Sequence, residues 1–387
     1  MSSSRRDFMR NGAALAAASA VGAGLLAAPT AASAGQGGTP AAKGGIDQRS
    51  DGTYETVELA KPAWTLCLAQ SRVHSFDAGQ WRQGIKDNLK HLLYLIDAAH
   101  YMQKPDLIQF HEFPLSGWRN WTRQEILKFA IEIPGEETEA IAAKARQYGT
   151  WVVFGAYARD KDWPGHVLSV TTIINDKGEI VARQWKARNT IVSGFWPGKE
   201  LFTTTIDNVL DRYVEMYGRD AVIPIARTPL GNIATSSTQS EPELFRAMAI
   251  KGAEVYLRTA SGGFSKTDIA ACAAYNGVYS SIVNNSISPD NGPFLEDATG
   301  MTGGSAIYGP RGEVVAEAGS PNETFVWGYI PIAQLRARHR QPVLCSGLYR
   351  DIYADYTPRY ASGLFADHPP DTMEDAYRYL KDKSRWK

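Results

Sequence analysis

Apolar residues recur along the chain in two ways, as short continuous runs and as longer stretches with helical spacing. The run from Trp64 to Ala69 predicts a strand, and apolar residues over about 80–101 recur every three or four positions: Ile85, Leu89, Leu92, Leu93 and Ile96. Further strands are predicted over 106–110 and 150–157, with a helix over 136–148 between them. This alternation of strands and helices predicts an α/β fold.

The second half of the chain repeats the scheme and adds hairpins. Apolar runs over 167–174 and 180–185 flank the turn sequence Asn-Asp-Lys-Gly at 175–178, which predicts a hairpin and therefore a mixed sheet. The later predicted elements are strands over 231–236, 254–259 and 278–284, helices over 241–252 and 266–276, and a second hairpin that turns at 309–312.

The first 34 residues have the layout of an export signal. The paired arginines Arg5 and Arg6 precede a weakly apolar, Ala- and Gly-rich stretch over 12–28, and the small residues at 32–34 form a cleavage site. This order resembles a twin-arginine signal peptide. We therefore expect cleavage after Ala34 and export of a folded protein to the periplasm or the medium.

The rest of the chain divides into three predicted segments. Residues 35–55 are rich in Gly, Ser, Thr and Lys without apolar periodicity, which predicts a flexible leader. Residues 56–336 are predicted to form one domain, and residues 337–387 a C-terminal arm.

Composition narrows the classes of function. The 387 residues include 41 Lys plus Arg and 41 Asp plus Glu, so there is no positive surplus to bind nucleic acid or an anionic membrane. We expect no nucleic-acid partner and, once the signal is cleaved, no membrane contact. Cys67, Cys272 and Cys345 are odd in number and far apart, which favours free thiols over disulfides or a zinc site. We expect neither a metal nor a cofactor.

Two charged residues stand where predicted strands end. Glu112 follows the strand at 106–110 and precedes a loop with Pro and Gly, and Lys186 follows the second strand of the first hairpin. Side chains at the carboxyl ends of strands reach the clefts in which α/β proteins bind ligands. Glu112 and Lys186 are therefore candidate site residues.

The order of these motifs resembles the nitrilase superfamily of carbon-nitrogen hydrolases, and most closely its aliphatic amidase and formamidase branch. The resemblance covers about 63–335, and its landmarks are Glu112, Lys186 after the hairpin, Trp-Pro-Gly at 196–198, Pro-Glu-x-x-Arg at 242–246 and Ser305. It implies a four-layer α-β-β-α sandwich with mixed sheets, a small-molecule substrate and a homodimer or higher homo-oligomer. It also implies a glutamate base, a lysine that stabilises the oxyanion and a cysteine nucleophile.

Glu112 and Lys186 match the first two of these roles, while the segment that should hold the cysteine has none. Counting back from Pro242 places Ser236 at the nucleophile, whereas counting forward from Gly231 places Thr238 there. Where the branch has a second glutamate, this chain has Ser193. Trp118, Ser193, Phe195 and Trp196 are the candidate substrate-binding residues.

Three functions remain open at this stage. The first is an exported hydrolase of a small amide or related carbonyl compound, with Ser236, Thr238 or a water molecule in place of the thiol. The second is a non-catalytic amidase-like protein that binds a small molecule or a partner. The third is a lyase or hydratase that uses the same Glu-Lys pair.

Overall fold

The computed structural model describes residues 48–189, 203–288, 302–358, 361–372, 374–376 and 378–379. The predicted signal peptide and most of the predicted leader lie outside the described residues. The strands are β1 (Trp64–Gln70), β2 (Leu107–Phe110), β3 (Trp151–Ala158), β4 (Leu168–Ile174), β5 (Ile180–Trp185), β6 (Ala226–Thr228), β7 (Gly231–Ser236), β8 (Val255–Thr259), β9 (Tyr279–Val283), β10 (Ala306–Tyr308), β11 (Val314–Glu317) and β12 (Thr324–Ile330). The α-helices are α1 (Trp81–Gln103), α2 (Arg123–Phe129), α3 (Glu136–Tyr148), α4 (Leu210–Tyr217), α5 (Pro242–Ile250), α6 (Lys266–Asn276), α7 (Ile332–Arg338) and α8 (Arg350–Asp355).

The strands form two mixed sheets of six. The first sheet has the order β12-β1-β2-β3-β4-β5 and the second has the order β11-β10-β9-β8-β7-β6. Strands β1, β2 and β3 are parallel, and the hairpin of β4 and β5 continues that sheet in antiparallel fashion. In the second sheet β7, β8 and β9 are parallel. The mixed sheet predicted from the hairpin at 175–178 is confirmed.

The molecule has four layers, in the order helices, sheet, sheet, helices. Buried apolar residues fill the three interfaces between these layers. The two sheets enclose one cluster, which includes Leu68, Val153, Ile233 and Leu257. Helices α1 and α3 cover the outer face of the first sheet, and α5 and α6 cover the outer face of the second. Each large apolar side chain buried in this way contributes roughly 1.5–3 kcal/mol to stability. The four-layer sandwich predicted from the resemblance is confirmed.

Helices α3 and α6 both end at a glycine in the left-handed conformation. Helices α3 and α6 have the predicted bounds, and each is followed by a glycine with positive φ, Gly149 at 60° and Gly277 at 64°. Glycine adopts this conformation without steric cost, so it ends both helices sharply.

Among the described residues, no helix is both long and apolar enough to cross a membrane.

The carboxyl ends of the parallel strands in both sheets meet at one edge of the sandwich. Gln109 Nε2 in β2 donates to the carbonyl oxygen of Arg258 in β8 over 2.7 Å. One step further, the backbone N–H of Glu112 donates to the Ala260 carbonyl over 3.3 Å. Residues that follow β2, β5, β7, β8 and β9 are therefore brought together at this edge.

Packing extends beyond both ends of the segment predicted as the domain. Tyr54 is buried and donates to Glu254 Oε1 over 3.0 Å, and the Tyr54 hydroxyl also lies 2.8 Å from His339 Nδ1. Glu254 in turn pairs with Arg336 over 2.8 Å. The bounds 35–55, 56–336 and 337–387 stay predictions.

Candidate active site

Glu112 and Lys186 form a buried ion pair at the shared edge of the two sheets. Lys186 Nζ lies 3.1 Å from Glu112 Oε1, and the two side chains are 2% and 5% exposed, respectively. The sequence predicted that these two residues converge, and the distance confirms it. Removing both charges from water is costly, so the pair is stable only because each charge faces the other and further polar groups surround them.

Glu112 reaches the lysine because the chain turns inward after β2. The backbone N–H of Gly155 in β3 donates to the His111 carbonyl over 3.2 Å, and the Glu112 backbone lies directly over Gly155. On the other side, the hydroxyl of Ser169 in β4 donates to Glu112 Oε1 over 3.4 Å. Neither Gly155 nor Ser169 was singled out from the sequence. Both lie in apolar runs, and an isolated Gly inside a strand is a general sign of close backbone approach.

Backbone hydrogen bonds fix the position of Lys186. Its N–H donates to the Ser169 carbonyl over 2.8 Å, and its own carbonyl accepts from the N–H of Ile206 over 3.1 Å. The same residue, Ser169, therefore contacts both partners of the ion pair. Ser169 holds the ion pair in place from one side.

The two hydroxyl residues proposed from the sequence as nucleophiles lie in different surroundings. Ser236 is paired in register with Arg258, whose guanidinium lies over the Phe245 ring of α5 at 4.0 Å, on the outer face of the second sheet. Ser236 Oγ accepts a hydrogen bond from the N–H of Thr238 over 3.0 Å. Thr238 Oγ1 is buried without a hydrogen-bond partner in the described part of the chain.

Two arginines hold the loop at 237–241. Arg188 donates to the carbonyl oxygens of Gln239 and Ser240 over 2.9 and 3.1 Å and forms an ion pair with Glu241. From the other side, Arg258 Nη2 donates to the Thr238 carbonyl over 3.1 Å.

Arg258 is the less expected of the two, because it is fully buried and pairs with Asp268 over 2.7 Å. A charged residue inside the apolar run of β8 is a signal that sequence reasoning could have used.

The remaining predicted substrate-binding residues are only partly described. Trp118 is 8% exposed and belongs to the apolar cluster between the first sheet and its helices. Ser193, Phe195 and Trp196 fall within 190–202, outside the described residues.

The cysteines and the neighbouring histidine do not form a thiol or imidazole site here. Cys67 in β1 and Cys272 in α6 are buried, and burial raises the pKa of Cys67 and raises that of Cys272 to about 11. Cys345 is exposed in the predicted arm. Burial lowers the pKa of His111 to about 3, so its imidazole is neutral at physiological pH.

The described residues contain no group of three or more His, Cys, Asp or Glu side chains placed to hold a metal ion. Among the described residues, the edge brings together the Glu112 carboxylate, the Lys186 ammonium group and several hydroxyls. A carboxylate can take a proton from a hydroxyl or a water molecule, and an ammonium group can stabilise the negative charge that develops on a carbonyl oxygen.

Comparison with known proteins identifies the family. The carbon-nitrogen hydrolase family matches residues 72–340, and the chain belongs to this family. A bifunctional nitrilase/nitrile hydratase of Lupinus angustifolius is 23% identical over 277 residues, which are 66% of this chain and 71% of that protein. A formamidase of Helicobacter acinonychis is 27% identical over 158 residues, 40% of each chain.

Among solved structures, an amidase from Nesterenkonia sp. has the same fold. Its TM-score is 0.53 at 15% identity, and the match covers 76% of this chain and 98% of that one. The family and the fold expected from the sequence are both confirmed.

Proposed function

We propose that the protein is an exported hydrolase that cleaves the carbon-nitrogen bond of a small amide or a related carbonyl compound. Glu112 acts as the general base and Lys186 stabilises the oxyanion. A hydroxyl or a water molecule takes the place of a thiol nucleophile. The observation that carries the proposal is the buried contact of 3.1 Å between the two charged groups.

The chemistry follows from the positions of these two groups. Glu112 accepts a proton from the attacking O–H, whose oxygen bonds to the substrate's carbonyl carbon, and negative charge moves to the carbonyl oxygen near Lys186. When the C–N bond breaks, the proton held by Glu112 passes to the leaving amine. Attack by Ser236, Thr238 or another hydroxyl produces an ester intermediate that water then hydrolyses, whereas direct attack by water, followed by loss of the amine, produces the acid without a covalent intermediate.

Burial of the ion pair supports an enzyme over a non-catalytic binding protein. A buried pair is often no more stabilising than well-packed apolar residues of the same volume. A catalytic role therefore explains the presence of this ion pair at the end of the sandwich better than a contribution to stability does. Membership of a hydrolase family supports the same choice.

The proposal includes export and self-association. The twin-arginine motif supports export of a chain that begins at Gly35, to the periplasm or the medium. The resemblance to the nitrilase superfamily supports a homodimer or a higher homo-oligomer. The partner in the reaction is a small-molecule substrate, without nucleic acid.

Ammonia release by the purified protein tests the activity. Formamide, acetamide, propionamide and benzamide are the amide substrates, and the matching nitriles are included because a relative is a nitrilase. Glu112→Gln is expected to lower turnover at least 100-fold, since it removes the base but keeps the shape. Glu139→Gln, at a side chain that is 69% exposed in α3, is the matched control.

Two outcomes would contradict the proposal. If the wild type turns over none of these compounds but binds one of them in a way that depends on Glu112, the chain is a binding protein. If the nitriles take up water and give the amides without any loss of ammonia, it is a hydratase.

A further inference from the structure

Three consecutive residues with hydroxyl groups stand at the edge that carries the ion pair: Ser236 ends β7, and Ser237 and Thr238 follow it. We infer that Ser237 is the nucleophile. This assignment rests on the hydrolase function proposed above and names the hydroxyl that attacks the substrate. Neither way of counting residues along the sequence selects it.

Strand register directs Ser236 away from the ion pair. In the parallel pairing of β7 with β8, Thr235 is opposite Leu257 and Ser236 is opposite Arg258. Leu257 belongs to the cluster between the two sheets, whereas Arg258 packs on Phe245 at the outer face. Side chains opposite each other in a sheet share a face, so Ser236 faces the helices. Its hydroxyl oxygen also accepts the N–H of Thr238.

The backbone of Thr238 is held by Arg258, which packs on the outer side of the second sheet. The Thr238 carbonyl accepts from the guanidinium of Arg258 over 3.1 Å. Its hydroxyl oxygen is shut off from solvent and has no hydrogen-bond partner among the described residues.

Continuing the alternation of β7 one residue past its last residue, Ser236, puts Ser237 on the same face as Thr235. The Thr235 hydroxyl donates to Gln184 Oε1 in β5 over 2.6 Å, so these two side chains meet between the sheets. Gln184 precedes Lys186 by two residues and Thr235 precedes Ser237 by two. Both strands run toward the edge where Glu112 contacts Ala260. One step of two residues beyond the contact between Thr235 and Gln184 therefore brings Ser237 to the side of Lys186.

The Ser237 hydroxyl is available for chemistry. The residue is 5% exposed, and its hydroxyl makes no hydrogen bond to any part of the chain that the structure describes. In the first step its proton passes to Glu112, and Oγ bonds to the substrate's carbonyl carbon. The C–N bond then breaks, the amine takes the proton from Glu112, and an ester on Ser237 remains. A water molecule hydrolyses this ester, giving the acid and restoring the hydroxyl.

Cysteine scanning with iodoacetamide tests the position without any need for turnover. Ser236→Cys, Ser237→Cys and Thr238→Cys are each made in a Cys345→Ser background, which removes the exposed native thiol. A thiol beside the Lys186 ammonium group is held as the reactive thiolate. We expect the thiol introduced by Ser237→Cys to be alkylated at least tenfold faster than either neighbour. Equal or slower alkylation overturns the inference.

Turnover of the best amide substrate provides the second test. Ser237→Ala is expected to lower kcat at least 100-fold with little change in KM, while Ser236→Ala and Thr238→Ala each lose less than tenfold. Ser280→Ala removes another buried hydroxyl, in β9, and is the matched control for packing. If Ser237→Ala keeps more than a tenth of the wild-type kcat, the inference fails while the proposed hydrolase function stands. If the wild type has no activity, the proposed function fails, and the alkylation rates still decide where Ser237 lies.

Discussion

The backbone of Glu112 lies directly over Gly155. A Cβ atom on Gly155 would be only 2.8 Å from the Glu112 Cα and closer still to the Glu112 carbonyl oxygen, so no other residue fits there without displacing Glu112. Gly155 is in the middle of β3, where glycine weakens a strand in general. The missing side chain is what lets the chain turn inward after β2 and bring the carboxylate to Lys186.

Gly155→Ala is therefore expected to damage the site more than the fold. The added methyl group displaces Glu112, and a shift of about 1 Å in a catalytic group can cost on the order of 100-fold in rate. The stability cost is expected to be about 1–3 kcal/mol, as for other overpacked sites. Ammonia release and urea unfolding measure the two effects. Gly79→Ala is the control, since nothing lies within 4 Å of its Cβ position. Wild-type activity of Gly155→Ala would contradict this account.

The ion pair is expected to show strong coupling in a double-mutant cycle. Lys186→Met leaves the Glu112 carboxylate buried without its cation, which typically costs about 3–5 kcal/mol of unfolding free energy. Adding Glu112→Gln to Lys186→Met removes the uncompensated charge and is expected to recover most of that loss, although the double variant stays inactive. Urea unfolding of the wild type, both single variants and the double variant measures the cycle. Additive losses would mean that the two groups do not stabilise each other.

Stability is expected to fall with acid because of His111. Burial lowers its pKa in the folded state to about 3, opposed in part by the charge of Glu323. An unfolded histidine has a pKa of about 6.5, so between these values the unfolded chain binds a proton that the folded chain does not. The unfolding free energy therefore decreases as the pH falls below about 6.5, by roughly 1.4 kcal/mol per pH unit for this one proton.

The His111→Gln variant lacks the imidazole that binds this proton in the unfolded chain. The variant is expected to be less stable than the wild type at pH 7 but to lose less stability between pH 6 and pH 4.5. His166, whose pKa burial lowers to about 4, contributes a second proton in both proteins. Urea unfolding at a series of pH values measures how steeply the unfolding free energy changes with pH. Identical slopes for the two proteins would show that His111 does not contribute to the loss of stability in acid.

Replacing both Arg5 and Arg6 by Lys is expected to stop export. The twin-arginine route depends on the arginine pair, so the variant should accumulate in the cytoplasm with residues 1–34 still attached. Cell fractionation and the mass of the protein in each fraction measure this. Replacing Lys43 and Lys61 by Arg, outside the predicted signal, controls for the exchange itself. Normal processing of the arginine-to-lysine variant would show that the prediction of a twin-arginine signal is wrong.

Much of the architecture could be predicted from local sequence. The hydrophobic periodicity of α1, the Gly residues after α3 and α6, and the turn at 175–178 each act over a few neighbouring residues, so their elements have nearly the predicted bounds. Helix α2 and strand β12 were not predicted. Helix α2 has only seven residues, and β12 is completed by pairing with β1 from the other end of the chain.

The sequence by itself indicated most of the strands and helices, the family and the two charged residues that converge, because motifs and periodicity are local. Only the tertiary structure decided which groups surround them. The inward turn of Glu112 over Gly155 and the support from Ser169 depend on the pairing of β2, β3 and β4. Likewise, the face presented by Ser236 follows from the register of β7 with β8, which joins residues 22 positions apart. Such relationships are set by packing across strands, and residue spacing along the chain does not encode them.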